Sequence, residues 1–187
     1  MRRQDSWDVQ TVCRIDRPLL QGGVVLGAAL AASLLGSSPV MAADFFITAM
    51  HSQKCAQVDD ASQDNGARIS QWQCLQQPNV LWHRQDGGDG YFFLQAKHSG
   101  KCAMVFRGAQ NNGAGIGQWA CDLGARPANF LWQQKPAGGE YYYIINRASG
   151  KCMQVDGASN DDGATISQWD CVDQPNVKWK IPQLNTD

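Results

Sequence analysis

Three segments of the chain open on a short aromatic and β-branched run, at Phe45–Thr48, Tyr91–Leu94 and Tyr141–Ile145, and then repeat one order of polar and apolar positions. A polar turn follows each run, at Ser52-Gln53-Lys54, Ser99-Gly100-Lys101 and Ser149-Gly150-Lys151. A short strand then starts at a cysteine, and Asn65-Gly66, Asn112-Gly113 or Asp162-Gly163 follows it. Such dipeptides accept the positive φ of tight hairpins, so they predict a reversal of the chain. The next strand carries Gln-Trp-x-Cys, and a last one ends at a second tryptophan, Trp82, Trp132 or Trp179. Four short strands per unit, twelve in all, are predicted, and no long stretch has the period of a helix.

A repeat of this length is one unit that cannot bury its own apolar face, so the copies must share a core. The units span about 45–85, 91–135 and 141–181. A propeller blade has a similar length but needs at least about four copies, whereas a β-trefoil closes with three. The expectation is therefore an all-β trefoil of three pseudo-symmetric four-stranded repeats over residues 45–182.

The first 42 residues break the pattern. Arg2, Arg3, Arg14 and Arg17 precede an apolar run from Val24 to Leu35, and small residues lead to Ala42-Ala43. The run is shorter than the roughly 20 residues that span a bilayer. A basic start, a short apolar centre and small residues before a cut describe a secretory signal peptide over residues 1–42, with Val40 and Ala42 at the recognition positions. The expected product is secreted or periplasmic, with no membrane span after cleavage.

Cysteine usage agrees. Of seven cysteines, Cys13 lies in the leader. The other six form three pairs, each 19 positions apart: Cys55 and Cys74, Cys102 and Cys121, Cys152 and Cys171. Equal intervals select one bridge within each repeat from the 15 connectivities open to six cysteines. With three histidines and no Cys-x2-Cys pair, a metal site is not expected.

The net charge is −1, so no basic field marks a nucleic-acid partner. There is no Gly-x-Ser-x-Gly elbow and no His-Glu-x-x-His, and hence no sign of a catalytic nucleophile or cofactor. His51 and His98 share one repeat position, beside a turn, and read as surface histidines.

The Gly-Lys-Cys turn, the equal cysteine spacing, the Trp-x-Cys strand and the Asn-x-x-Trp ending resemble the ricin B-type lectins over about residues 45–182. That resemblance implies shallow sugar pockets, one per repeat, with glycans or glycoconjugates as partners. Its stacking aromatic corresponds to Trp72, Trp119 and Trp169, its polar asparagine to Asn79, Asn129 and Asn176, and its core tryptophan to Trp82, Trp132 and Trp179. Where the family has a sugar-binding Asp, this chain has Gln57, Met104 and Gln154; its polar position before the platform holds Ser70, Gly117 and Ser167.

Glutamine both donates and accepts hydrogen bonds, so Gln57 and Gln154 can meet sugar hydroxyls, with Asp59 and Asp156 two residues on as carboxylate sources. The expected sites lie in repeat 1 (Gln57, Asp59, Ser70, Trp72, Asn79) and repeat 3 (Gln154, Asp156, Ser167, Trp169, Asn176). Repeat 2, with Met104, Phe106 and Gly117, is expected to be structural. The alternative is a protein-interaction trefoil, such as a protease inhibitor or the carrier subunit of a toxin or enzyme.

Overall fold

A computed structural model describes residues 43–183. The leader reading over residues 1–42 lies outside the described residues.

Twelve strands form in chain order. Repeat 1 supplies β1 (Thr48–Ala49), β2 (Cys55–Val58), β3 (Ile69–Trp72) and β4 (Trp82–Gly88). Repeat 2 supplies β5 (Tyr91–Ala96), β6 (Cys102–Val105), β7 (Ile116–Trp119) and β8 (Trp132–Pro136). Repeat 3 supplies β9 (Tyr142–Asn146), β10 (Cys152–Val155), β11 (Ile166–Trp169) and β12 (Trp179–Lys180).

Six of them close a barrel. Strand β4 pairs with β5, β5 with β8, β8 with β9, β9 with β12 and β12 with β1, and a bridge from Phe45 to Trp82 completes the ring. The other six form three hairpins, β2–β3, β6–β7 and β10–β11, each in four-residue register. This is the β-trefoil. The last strand of each repeat starts at its tryptophan instead of ending there, a correction to the sequence expectation. The preceding residues, Pro78–Val80, Ala128–Phe130 and Pro175–Val177, form 3-10 turns. In repeats 1 and 3 a proline opens that turn, where its fixed φ is accommodated and its missing N–H is not needed.

Trp82, Trp132 and Trp179 are fully buried in one core with Val58, Val105, Val155, Ile69, Ile116 and Ile166. Each indole N–H donates to a carbonyl on the hairpin of its own repeat: Ala56 at 2.8 Å, Ala103 at 3.0 Å and Met153 at 2.8 Å. A buried indole needs such an acceptor. These bonds lock hairpin to barrel, and truncating any one to alanine costs roughly 3–5 kcal/mol.

Disulfides Cys55–Cys74, Cys102–Cys121 and Cys152–Cys171 pair as the equal spacing predicts, each with Cα atoms 5.1 Å apart. Each contributes about 3 kcal/mol in the chain-entropy account.

The three hairpins are joined by a clamp that sequence reading missed. Gln71, Gln118 and Gln168, immediately before the exposed tryptophans, are fully buried. Each accepts from a turn serine of its own repeat: Ser52 at 2.7 Å, Ser99 at 2.6 Å and Ser149 at 2.7 Å. Each amide nitrogen then donates twice to the hairpin turn of another repeat. Gln71 reaches the carbonyls of Ser159 and Asp161, Gln118 those of Ser62 and Asp64, and Gln168 those of Ala109 and Asn111. The cycle runs 1 to 3, 2 to 1 and 3 to 2, so no hairpin is positioned alone. His51 and His98 belong to the same junctions. Their Nε2 atoms lie 2.9 Å from the carbonyls of Ser159 and Ser62, so they are half-buried connectors, not free surface groups.

Candidate functional site

Register decides which side chains share a face. Gln57 stands opposite Ser70, and Cys55 opposite Trp72, in the β2–β3 pair. Residues two apart on a strand point the same way, so Ser70 and Trp72 lie together on one face while Ile69 and Gln71 face the interior. The same register puts Gln154 opposite Ser167 and Cys152 opposite Trp169 in repeat 3, and Met104 opposite Gly117 in repeat 2.

The platform tryptophans stand out from the rest. Trp72, Trp119 and Trp169 are 38%, 43% and 41% exposed, against 0% for the three core tryptophans. Each ring edge is braced by a glycine of another repeat's hairpin turn. A Cβ on Gly163 would lie 3.9 Å from Trp72 Cζ3, one on Gly66 3.8 Å from Trp119 Cζ3, and one on Gly113 3.9 Å from Trp169 Cζ3. Each indole therefore sits beside the turn of another repeat while a large part of it stays in water.

Beside two of these platforms runs a linked polar network. In repeat 1, Asn79 donates to Gln57 Oε1 and to the Val58 carbonyl, both at 3.1 Å. Gln57 Nε2 lies 3.5 Å from Ser70 Oγ, and Ser70 donates to Asp59 Oδ1. Repeat 3 repeats the order: Asn176 donates to Gln154 and to Val155, Gln154 to Ser167 and to Asp156, and Ser167 to Asp156. Eight of the ten residues singled out from the sequence thus fall into two bonded groups of four, and Trp72 and Trp169 share a strand face with the serine of each.

The members differ in which of their polar atoms are already bonded. Gln57 and Gln154 are only 8% and 6% exposed, with both amide ends engaged inside the protein. Asn79 and Asn176 are buried to the same degree, at 6% and 5% exposed, and Ser70 and Ser167 are fully buried. Asn79 and Asn176 commit both amide hydrogens internally, which leaves the carbonyl oxygen as their free group. Asp59 and Asp156 are half-buried at the edge and carry the acceptor charge.

One difference separates the two networks. Arg68 Nε donates to Asp59 Oδ2 at 2.8 Å, whereas the matching residue in repeat 3 is Thr165 and leaves Asp156 Oδ2 open. Sequence reading did not pair Arg68 with Asp59, although both sit in the same hairpin.

Repeat 2 has no such network. Phe106 takes the place of the Asp, and its ring lies over Gly117 so closely that a Cβ there would sit 2.1 Å from Phe106 Cζ. Met104, Phe106, Arg107 and Trp119 instead line a shallow apolar depression of about 550 Å³. Among the described residues no group of three or more His, Cys, Asp or Glu is placed to hold a metal ion.

Likeness to known proteins accords with this geometry. A designed three-fold symmetric protein, ThreeFoil, is 33% identical with a TM-score of 0.71, covering 75% of this chain and 99% of its own. An exo-β-1,3-galactanase from Clostridium thermocellum is 29% identical with a TM-score of 0.70; 73% of this chain matches 29% of that enzyme, so the chain spans under a third of its length. The C-half of an earthworm R-type lectin, solved with GalNAc, shares the fold at 17% identity and a TM-score of 0.57, covering 73% and 95% of the two chains. No curated protein matches the chain by sequence. The model of the ricin-type beta-trefoil lectin domain-like family matches residues 36–119 and 128–187, and the chain belongs to that family.

Proposed function

We propose that this protein is a non-catalytic carbohydrate-binding protein that acts outside the cytoplasm and holds glycans in shallow sites of repeats 1 and 3. The observation that carries the reading is an exposed, braced indole standing beside a Ser–Asp–Asn network in those two repeats and not in the third. A pyranose has an apolar face of C–H groups and a rim of hydroxyls. Trp72 and Trp169 take the face; Asp59, Asp156 and the asparagine carbonyls accept from the rim. An ionised carboxylate makes the stronger of these bonds. Such a division between apolar platform and a few polar groups is usual for small-ligand sites.

Single sites this open bind near millimolar, about −4 kcal/mol. Two on one rigid body raise avidity by roughly 10²–10⁴ on a multivalent surface. The earthworm lectin fragment, which shares the fold, was solved with GalNAc, and this supports a sugar as the class of ligand. Three disulfides suit an oxidising compartment, and no helix among the described residues is long and apolar enough to cross a membrane. The leader reading, residues 1–42 removed to free a domain over 45–182, completes the proposal.

A glycan array of the mature protein tests it. The Trp72→Ala, Trp169→Ala double variant, shown folded by circular dichroism, is expected to lose nearly all binding to neutral glycans. A folded double variant that binds like the parent means these pockets are not the sites.

A further inference from the structure

The three repeats carry the same turn after the first hairpin strand, and its central residues differ in charge. Asp59-Asp60, Phe106-Arg107 and Asp156-Gly157 are matched positions, and the middle residue is left-handed each time, with φ of 53° at Asp60, 55° at Arg107 and 60° at Gly157. Repeats 1 and 3 therefore present carboxylates beside their platforms, and repeat 2 presents a guanidinium.

Arg107 is exposed and has no carboxylate partner among the described residues. It lines the same depression as Trp119, Met104 and Phe106. Asn129 is also altered there: its amide donates to the Val105 carbonyl at 3.1 Å, but Met104 offers no acceptor where Gln57 and Gln154 do. One amide hydrogen of Asn129 is therefore uncommitted.

We propose that repeat 2 is a third binding site, selective for an acidic sugar that carries an apolar acyl group. The carboxylate pairs with Arg107, whose planar fork matches it in two parallel bonds. The ring lies on Trp119, and the acyl methyl rests against Met104 and Phe106. Neutral polyols are held poorly because the depression has no carboxylate or serine to accept from their hydroxyls. Conversely, the unpaired carboxylate of Asp156 repels the acidic sugar from repeat 3, and in repeat 1 the guanidinium of Arg68 is already held by Asp59. The inference shares with the neutral-sugar reading only the use of an exposed tryptophan as a platform.

The test is titration at low ionic strength of the methyl α-glycoside of N-acetylneuraminic acid, followed by saturation-transfer NMR, with methyl β-galactoside as the neutral probe. Arg107 is exposed, and the other repeats hold Asp and Gly at its left-handed position, so Arg107→Asp and Arg107→Gly keep the fold. The parent is expected to bind the acidic glycoside saturably. Arg107→Gly should weaken that binding at least fivefold and Arg107→Asp more than tenfold. Trp119→Ala should remove it, and the Trp72→Ala, Trp169→Ala double variant should keep it. Absence of saturable binding to the parent, equal affinity in Arg107→Asp, or loss in the double variant but not in Trp119→Ala overturns the proposal. Neutral-sugar binding that is lost in the double variant, with no acidic-sugar binding anywhere, sinks this inference alone. Acidic-sugar binding through Trp119 with no neutral-sugar binding sinks the other reading alone.

Discussion

The junctions between repeats and the pocket floors lie on opposite faces of the same strands, yet the glutamine clamp of the first recurs three times and the floor does not. At each junction a buried glutamine accepts from a serine and donates to two carbonyls of another repeat. On the outer face the residue one position earlier is Ser70, Gly117 or Ser167, and its neighbour across the hairpin is Gln57, Met104 or Gln154. Closure of the ring makes every junction equivalent, so each must be solved in the same way. Pockets carry no such constraint, because a shallow outer face can be polar or apolar without altering the ring. What repeats three times is the bonding that joins the repeats; what varies is the chemistry of the outer face.

The largest loss of stability is expected at a junction. Gln118→Leu keeps size but leaves Ser99 Oγ and the carbonyls of Ser62 and Asp64 without their donor or acceptor. Leaving such groups unsatisfied costs about 1–3 kcal/mol each where they stay buried, so a loss of roughly 3 kcal/mol is expected. Urea denaturation measures it, and a loss below 1 kcal/mol would show that the clamp is incidental. Because Gln118 belongs to repeat 2 and its acceptors to repeat 1, the loss should be accompanied by faster hydrogen exchange in the 62–66 turn.

A smaller effect tests the pocket side. Gly117→Ser gives repeat 2 the serine of its siblings, but the new Cβ meets Phe106 Cζ at 2.1 Å and the Ala67 carbonyl at 2.7 Å. Overpacking of this kind costs about 2 kcal/mol. Phe106→Asp removes the ring and supplies the acceptor that Ser70 and Ser167 use. A double-mutant cycle should then show a favourable coupling of roughly 1–2 kcal/mol. Additive effects would mean that Phe106 and Gly117 did not change together to build the apolar floor.

Legibility from sequence followed the same division. The fold could be read because three copies of one pattern, with equal cysteine intervals, leave few topologies. The core tryptophans could be read because a large apolar residue kept at one position of every copy has to pack somewhere. The Gln71, Gln118 and Gln168 clamp had a signal, a glutamine before every platform tryptophan, but its partners lie as much as 90 residues away and no local pattern names them. The start of β4, β8 and β12 was misplaced because the preceding 3-10 turns interrupt strand-like composition. In the two polar clusters the residues could be named from the sequence, but not their burial or bonding: Gln57 and Gln154, like Asn79 and Asn176, are buried and hydrogen-bonded to one another.

The finest distinction is between the two polar pockets, and it rests on Arg68. In repeat 1 this residue donates to Asp59 Oδ2; in repeat 3 Thr165 leaves the corresponding oxygen of Asp156 without a side-chain donor. A hydroxyl approaching Asp59 must share an oxygen with Ser70 or displace a guanidinium, so repeat 3 should be the stronger site. Trp169→Ala is expected to weaken neutral-glycan binding more than Trp72→Ala. Arg68→Thr in a Trp169→Ala background, where repeat 1 acts alone among the polar sites, should improve affinity about two- to threefold, near 0.5 kcal/mol. Stability should hardly change, since Arg68 is 53% exposed in this ion pair and such pairs contribute about 0–1 kcal/mol. Calorimetric titration of a multivalent neutral glycan reads the difference. If Arg68→Thr weakens repeat 1 instead, the guanidinium is itself a ligand group, and the site is built from Arg68 with Asp59 and not from the bare carboxylate.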